Sequence, residues 1–478
     1  MLFNSFSFGL FLPIVFIAYW TIGSKRVAIQ NILLLLASYF FYGLWDWRFL
    51  SLIFISSIVD YYAGKAIKFS KNDIGRKFYL YLSIGWNLGV LFIFKYFNFF
   101  AESFADLFYL NDASYTYNTL NIILPVGLSF YTFQTMSYSI DVYRRRIEPT
   151  NNFLNFLCFV SFFPQLVAGP IERARSLLPQ FKIERKFDLA IVKDGLRQIL
   201  WGLFKKVVIA DNVALAVNAI YADPGDQSSL SLLYASALFF FQIYCDFSGY
   251  SDIAIGSAKL FGFKLSKNFN IPYLSRSVSE FWQRWHITLT KWFTDYVYAP
   301  IIKNKKNRNY TIKTIALFIS MTLIGLWHGA NWTFIAFGVL QAVMISIERI
   351  PIKIKGRSLN FNYFLTKVPL GLTIIYSFTL IMASCIFFRA ESLEMAVNIF
   401  KRIGTLSSGN NFSLVIGWRI WLVVLLIFIE YFTRFKNHPF EFLDKKYSKP
   451  IRWIIYYIFI FIIFRYAGPK EEFIYFQF

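Results

Sequence analysis

Apolar runs long enough to cross a bilayer recur along the whole chain, and they constrain its fold more than any other feature. They fall near 6–22, 28–45, 49–64, 78–98, 121–141, 153–169, 196–220, 229–247, 312–328, 331–347, 368–388, 413–432 and 452–466. A helical span needs roughly 20 mainly apolar residues to cross a hydrocarbon core about 30 Å thick. Some runs are shorter, so re-entrant or interfacial helices are expected beside about eleven full crossings. Lipid offers no partner to backbone N–H and C=O groups, so a spanning chain must be helical or close into a barrel. Barrel strands alternate apolar and polar residues, and these runs do not. The expected fold is all-α: a polytopic integral membrane helical bundle, with residues 1–478 as a single domain. The first run has no basic n-region and no small-residue cleavage site, so it is expected to stay in place as a span.

Composition agrees. Only 16% of residues are charged and 57% are hydrophobic. A soluble globule carries about 25% charge, and this chain could not cover its surface in water. The 58 Phe, 13 Trp and 30 Tyr suit both the lipid core and its interfacial belts. The net charge of +22 could signal nucleic acid, but the basic residues sit in short loops between apolar runs, as in cytoplasmic loops of membrane proteins. No nucleic-acid partner is expected. Cys158, Cys245 and Cys385 lie in apolar stretches at spacings that fit neither a zinc site nor a disulfide framework.

The basic rule also orients the first spans. Residues 65–77 hold Lys65, Lys68, Lys71, Arg76 and Lys77, whereas 99–120 hold Glu102, Asp106 and Asp112 and no basic residue. The first loop is expected in the cytoplasm and the second outside, which places Arg144, Arg145 and Arg146 inside as well.

Of three histidines, His438 sits in the basic stretch RFKNHPF and reads as a solvated loop residue. His328 lies in LIGLWHGANWTF, between apolar runs. An ionisable group at membrane depth is a functional candidate, and imidazole suits general-base work near neutral pH. It reads either as that base or as a structural histidine bonded to a neighbouring helix. Gly325 and Gly329 would let a helix or a substrate approach, Asn331 could orient the ring, and Trp327 and Trp332 could wall a channel. For His286, helical periodicity places Trp282, His286 and Leu289 on one face with Trp285 beside them. This is either a tryptophan-rich interfacial helix or a second cavity-lining histidine. The segment 241–256 is also unusual: Asp246 and Asp252 interrupt an apolar run and need cationic partners, and Gly249 and Gly256 are expected to break or thin the helix. No HExxH, Walker loop or GxSxG motif occurs, and the histidines lack acidic neighbours at metal-ligand spacing, so no metal is expected.

The segments EFWQRWHITLTKWFTDYVYAP and GLWHGANWTFIAFG, with LPVGLSFYTFQTMSYSIDVYR, FFPQLVAGPIERARSLLPQF and YCDFSGYSDIAIG, resemble the membrane-bound O-acyltransferase family, in particular its bacterial branch related to the alginate O-acetyltransferase membrane subunit. The resemblance runs over nearly the whole chain in order. It implies a helical bundle with a central tunnel, and an enzyme that moves acyl groups, usually acetyl, towards hydroxyls of exported polymers. It also implies that His328 is the catalytic histidine and His286 the second. Trp285, Trp327 and Asn331 are the expected substrate-positioning residues. No bound cofactor is implied; the acyl donor is a cytoplasmic thioester, acetyl-CoA being the candidate. The implied partners are the lipid bilayer, a periplasmic acetyltransferase and the polysaccharide export machinery, at a bacterial inner membrane. Residue chemistry alone leaves two other readings open, a transporter for a lipid-linked glycan and a non-catalytic scaffold.

Overall fold

A computed structural model describes residues 1–23, 26–108, 123–303, 309–354, 357–409, 417–469 and 471–476. Among these the chain is predominantly helical with almost no strand, as the patterning predicts. The exception is one antiparallel pair, Pro351–Ile354 with Arg357–Asn360. Five helical stretches among the described residues are long and apolar enough to cross a membrane: Val27–Phe69, Asp73–Leu107, Ser229–Leu260, Tyr310–His328 and Leu370–Arg389. Shorter apolar helices include Phe6–Ile22, Phe153–Leu166 and Trp332–Glu348. The starts of the expected runs at 121 and 413, and Asp112 of the expected outer loop, lie outside the described residues.

Lipid-facing surfaces follow from helix geometry. On Phe6–Ile22 the side chains of Phe6, Leu10, Ile14 and Ile17 recur at three- and four-residue spacing and are all exposed. Water would penalise such a stripe, whereas a bilayer accepts it. The stretch Val27–Phe69 is divided where expected. Asp46 accepts from the backbone N–H of Arg48 at 3.0 Å and pairs with its guanidinium at 2.5 Å, turning the chain at Trp47–Phe49.

The chain forms two compact units, Met1–Leu196 with Ile253–Ser266, and Arg197–Asp252 with Lys267–Phe478. In the first, Arg76 donates to Tyr143 O at 2.7 Å, and Lys68 pairs with Glu148. The basic loop at 65–77 and the arginines after Tyr143 therefore meet at one end of their helices, as the charge pattern requires.

In the second unit two expectations are corrected. Gly249 does not break its helix: Ser229–Leu260 is continuous. A Cβ on Gly249 would lie 2.8 Å from Gly202 O, so the glycine serves close approach of a neighbouring segment. Asp246 and Asp252 do find the cations they need, Lys206 and Lys205, at 2.8 and 2.6 Å. His438 is buried rather than solvated, because the following Phe440 packs at 4.8 Å from Phe459 and 6.1 Å from Trp201 and draws the loop inward.

Candidate active site

His328 is the last residue of the helix Tyr310–His328, and the helix Trp332–Glu348 runs back against it. Two glycines make this hairpin tight. A Cβ on Gly325 would stand 2.2 Å from Phe334 O, and one on Gly338 would stand 2.4 Å from Met321 O. The approach that the small residues allow is thus taken by a helix. Asn331 is committed to the fold: its Oδ1 accepts from Thr333 N at 2.9 Å, capping the second helix, and its Nδ2 donates to Glu391 O at 3.1 Å. Trp332 is half exposed and does not line the interior.

The segment around His286 is not the single helix its periodicity predicts. One short helix, Val278–Arg284, ends before Trp285, and another begins at Ile287. His286 sits between them in the left-handed region, at φ 37° and ψ 55°. A non-glycine residue there stores about 1–3 kcal/mol, so surrounding contacts must hold it. They come from residues 268–270. Ile287 N donates to Asn268 O and Asn270 N to Arg284 O, both at 2.9 Å.

The Asn268 side chain completes the turn. Its Oδ1 accepts from Thr288 N at 3.3 Å and from Thr288 Oγ1 at 2.8 Å. A backbone N–H can only donate, so the atom facing it is the amide oxygen. That oxygen lies 3.0 Å from His286 Nδ1. Nδ1 therefore carries the hydrogen, and Nε2 holds the lone pair of the neutral ring. Burial pushes the His286 imidazole well below the ordinary histidine range, and His328 pushes it in the same direction.

The two histidine segments are stitched together. The buried carboxylate of Glu348 accepts from Val278 N at 2.7 Å and Ser279 N at 2.8 Å, filling the N-terminus of the helix that leads to His286. Trp282 Nε1 donates to Gln341 Oε1 at 3.0 Å, and Gln341 Nε2 donates to Ser384 Oγ at 2.7 Å.

Both imidazoles are fully enclosed, at 0% and 1% exposure for His286 and His328. Trp327 bridges them, its ring 5.6 Å from His286 and 5.2 Å from His328. Phe388 stands 5.0 Å and Phe337 6.1 Å from the His328 ring. On the other side Phe247 lies 4.7 Å from His286. Trp285 is 5.1 Å from Phe269, which stacks at 6.2 Å on His286, so it belongs to the wall behind that histidine. Of the expected site residues, His286, Trp327 and His328 converge, Trp285 lies one ring removed, and Asn331 caps a helix.

Two residues that sequence reading missed complete the site. Asn268 is one. The other is Tyr475, close to the C-terminus, whose ring lies 5.5 Å from His328 and 6.1 Å from Trp327. Its hydroxyl is buried with no hydrogen-bond partner among the described residues. The segment reaches this position because Lys206 Nζ donates to Glu471 O at 3.1 Å, Asp246 Oδ2 accepts from Ile474 N at 2.7 Å, and Gly468 N donates to Val207 O at 3.0 Å. Phe473 anchors it, wholly buried against Phe247 and Tyr250. A polar PKEE followed by FIYFQF after the last apolar run was the available signal.

Comparison with known proteins supplies what the site alone does not. Residues 38–390 match the membrane-bound O-acyltransferase family, MBOAT. The chain is a member of that family. It is 35% identical to the probable alginate O-acetylase AlgI of Pseudomonas aeruginosa, over 92% of this chain and 82% of that protein. It is 34% identical to a peptidoglycan O-acetyltransferase of Helicobacter pylori, over 84% and 79%. A teichoic acid D-alanyltransferase of Streptococcus thermophilus is 30% identical over 48% of this chain and 58% of its own length. This membrane-bound O-acyltransferase is thus a multi-pass membrane enzyme, and the transporter and scaffold readings give way to acyl transfer. Its enclosed histidines, walled by aromatic rings, offer lone-pair nitrogen in a water-poor interior, where an imidazole can take a proton from a hydroxyl.

Proposed function

We propose that this enzyme transfers an acetyl group from a cytoplasmic thioester, acetyl-CoA being the candidate donor, towards hydroxyls of an exported polysaccharide at the bacterial cytoplasmic membrane. The observation that carries the reading is the pair of buried imidazoles joined by Trp327, one with its tautomer set by Asn268. His328 is the proposed base. The acceptor hydroxyl attacks the thioester carbonyl, forming the C–O bond, while its proton passes to the imidazole. The tetrahedral intermediate collapses, the C–S bond breaks, and the proton leaves on the departing thiol. General-base assistance of this kind contributes roughly 10²–10⁴-fold. His286, with Nε2 as its lone-pair nitrogen, is the proposed second histidine, holding the reacting groups from the far side of Trp327. Trp327 and Trp285 position the substrate, and Asn331 keeps the hairpin that carries His328.

The names of the two relatives that match most of the chain support a polysaccharide as the ultimate acceptor, alginate in one and peptidoglycan in the other. A periplasmic transferase that completes delivery to the polymer is the proposed partner. The deciding experiment is His328→Ala in cells, with acetylation of surface polymer read by mass spectrometry and protein level by immunoblot. Loss of acetyl at unchanged protein level is expected; acetylation at wild-type level would overturn the assignment.

A further inference from the structure

Glu430 is the one acidic residue of the helix Arg419–Phe432, whose side chains beyond Arg419 are otherwise apolar or aromatic. A carboxylate in such a helix is expensive, and its bonds show what it holds. Glu430 is buried and accepts from two phenol hydroxyls. Tyr244 donates to its two oxygens at 3.0 and 2.8 Å, and Tyr273 donates to one of them at 2.8 Å. Lys205, the buried cation facing this carboxylate, is itself bonded to Asp252 at 2.6 Å and to Ser248 Oγ at 2.8 Å. The two tyrosines are therefore the groups that Glu430 fixes in place.

Each tyrosine leads to His286. Tyr244 belongs to the helix Ser229–Leu260, one turn before Phe247, whose ring lies 4.7 Å from the imidazole. Tyr244 also stands 6.5 Å from Trp285 and meets Phe269 edge-on at 6.1 Å. Tyr273 lies in the short turn Pro272–Leu274, which follows Ile271. Ile271 takes φ 48° and ψ 64°, a left-handed conformation that a β-branched residue adopts only under constraint. The residues just before it bond across to 284–287 and bring Asn268 to the imidazole. Two strained residues, Ile271 and His286, thus flank one short backbone pairing. Residues 267–269 belong to no helix or strand, so the pairing needs an anchor from outside. Glu430 supplies it, because one carboxylate ties the turn at Tyr273 to the helix that carries Phe247.

We infer that Glu430 is a positioning residue for the reaction: it holds the turn that presses Asn268 onto His286, and so keeps that imidazole in its Nδ1–H form with the lone pair on Nε2. The inference rests on the acyltransferase reading above. Glu430 acts through Tyr244 and Tyr273, and its effect reaches the chemistry as the tautomer of His286. An unrestrained imidazole favours the other tautomer, with hydrogen on Nε2, so the Nδ1–H form measures how firmly Asn268 is held.

The test uses the full-length protein in lipid bilayers, with isotopically labelled histidine. The chain has only three histidines, and the His286 signals are assigned by their loss in His286→Gln. Solid-state NMR reads the tautomer, and thioester-dependent acylation reads the rate. In Glu430→Leu the single Nδ1–H form should give way to a mixture of tautomers. The rate should fall by about 10–10²-fold, as it does when reacting groups are slightly misplaced. Glu430→Gln can accept from one phenol and donate to the other, so the wild-type tautomer and most of the rate should return. Adding Asn268→Ala to Glu430→Leu should lower the rate no further than Asn268→Ala alone, because both act on one contact. Tyr273→Phe keeps the ring and loses one bond, and it should move both readouts in the same direction by less. It carries the test if Glu430→Leu does not accumulate. A wild-type tautomer in the leucine variant, or in Tyr273→Phe where that variant stands in, would overturn the inference. So would full multiplication of the two rate effects in the double variant. Failure of the acyltransferase reading would show separately, as no thioester-dependent acylation by the wild type, whatever the tautomer of His286.

Discussion

Asn268 Oδ1 lies 3.0 Å from His286 Nδ1 and also accepts from the backbone N–H of Thr288, so one amide oxygen both closes the turn and fixes which imidazole nitrogen holds the lone pair. Asn268→Ala removes both effects, and transfer should fall on the order of 10²-fold. Asn268→Asp keeps an acceptor at the same place and should retain most activity. The added negative charge favours the imidazolium and raises its pKa. Burial holds the wild-type His286 imidazole low, so its neutral form persists through the neutral range and is lost only in acid. In Asn268→Asp that loss should begin at higher pH. An acid limb unmoved in the aspartate variant would separate Asn268 from the imidazole.

Tyr475 carries a buried hydroxyl with no hydrogen-bond partner among the described residues, on a ring 5.5 Å from that of His328. Tyr475→Phe preserves the ring packing and removes only that oxygen. If the hydroxyl donates to charge developing on the carbonyl, transfer should drop roughly 10²–10³-fold. Thermal stability in detergent should stay at the wild-type value. Unchanged transfer would reduce the residue to a packing element.

Lys206 pairs with both Asp211 and Asp246 in a buried site and donates to the backbone of the C-terminal segment. Lys206→Met leaves two buried carboxylates without their cation, which should cost about 3–5 kcal/mol. The triple change Lys206→Met, Asp211→Asn and Asp246→Asn removes the charges together and should recover most of the loss. Thermal unfolding of the purified proteins reads the difference. A single variant as stable as wild type would show that the ion cluster contributes nothing.

Gly325 and Gly338 set the spacing of the helix hairpin that carries His328. Gly325→Ala places a methyl group where Phe334 O already stands, and the backbones must separate. Overpacking of this sort costs about 1–3 kcal/mol. A lower melting temperature should accompany reduced transfer, since His328 lies one turn beyond the contact. Alanine at Gly371, where a Cβ meets nothing within 4 Å, is the matched control and should be silent.

The membrane class and its helices were legible in the sequence because hydropathy over about 20 residues is a local property. His328 was legible for a related reason, since an imidazole between two apolar runs stands out by cost alone. The need of Asp246 and Asp252 for cations was equally local, although their partners were named only by type. Three inferences that depended on a neighbour failed. Periodicity made one helix of residues 278–293, and the left-handed turn at His286 exists only because Asn268 and Asn270 bond to it from another part of the chain. Gly249 looked like a break and serves instead as a contact for Gly202 O. Asn331 looked like a partner for the imidazole and is a helix cap.

By itself, then, the sequence determined that the chain lies in lipid as helices and that a histidine is buried among them, because burial cost and helical length are set residue by residue. Tertiary structure alone decided which groups surround that histidine. Tyr475 is 147 positions from His328, and it arrives there through Lys206 and Asp246, two charges whose pairing compels the C-terminal segment inward. Buried charge must be matched, and the place where it is matched is a property of the packed fold, which no window of sequence contains.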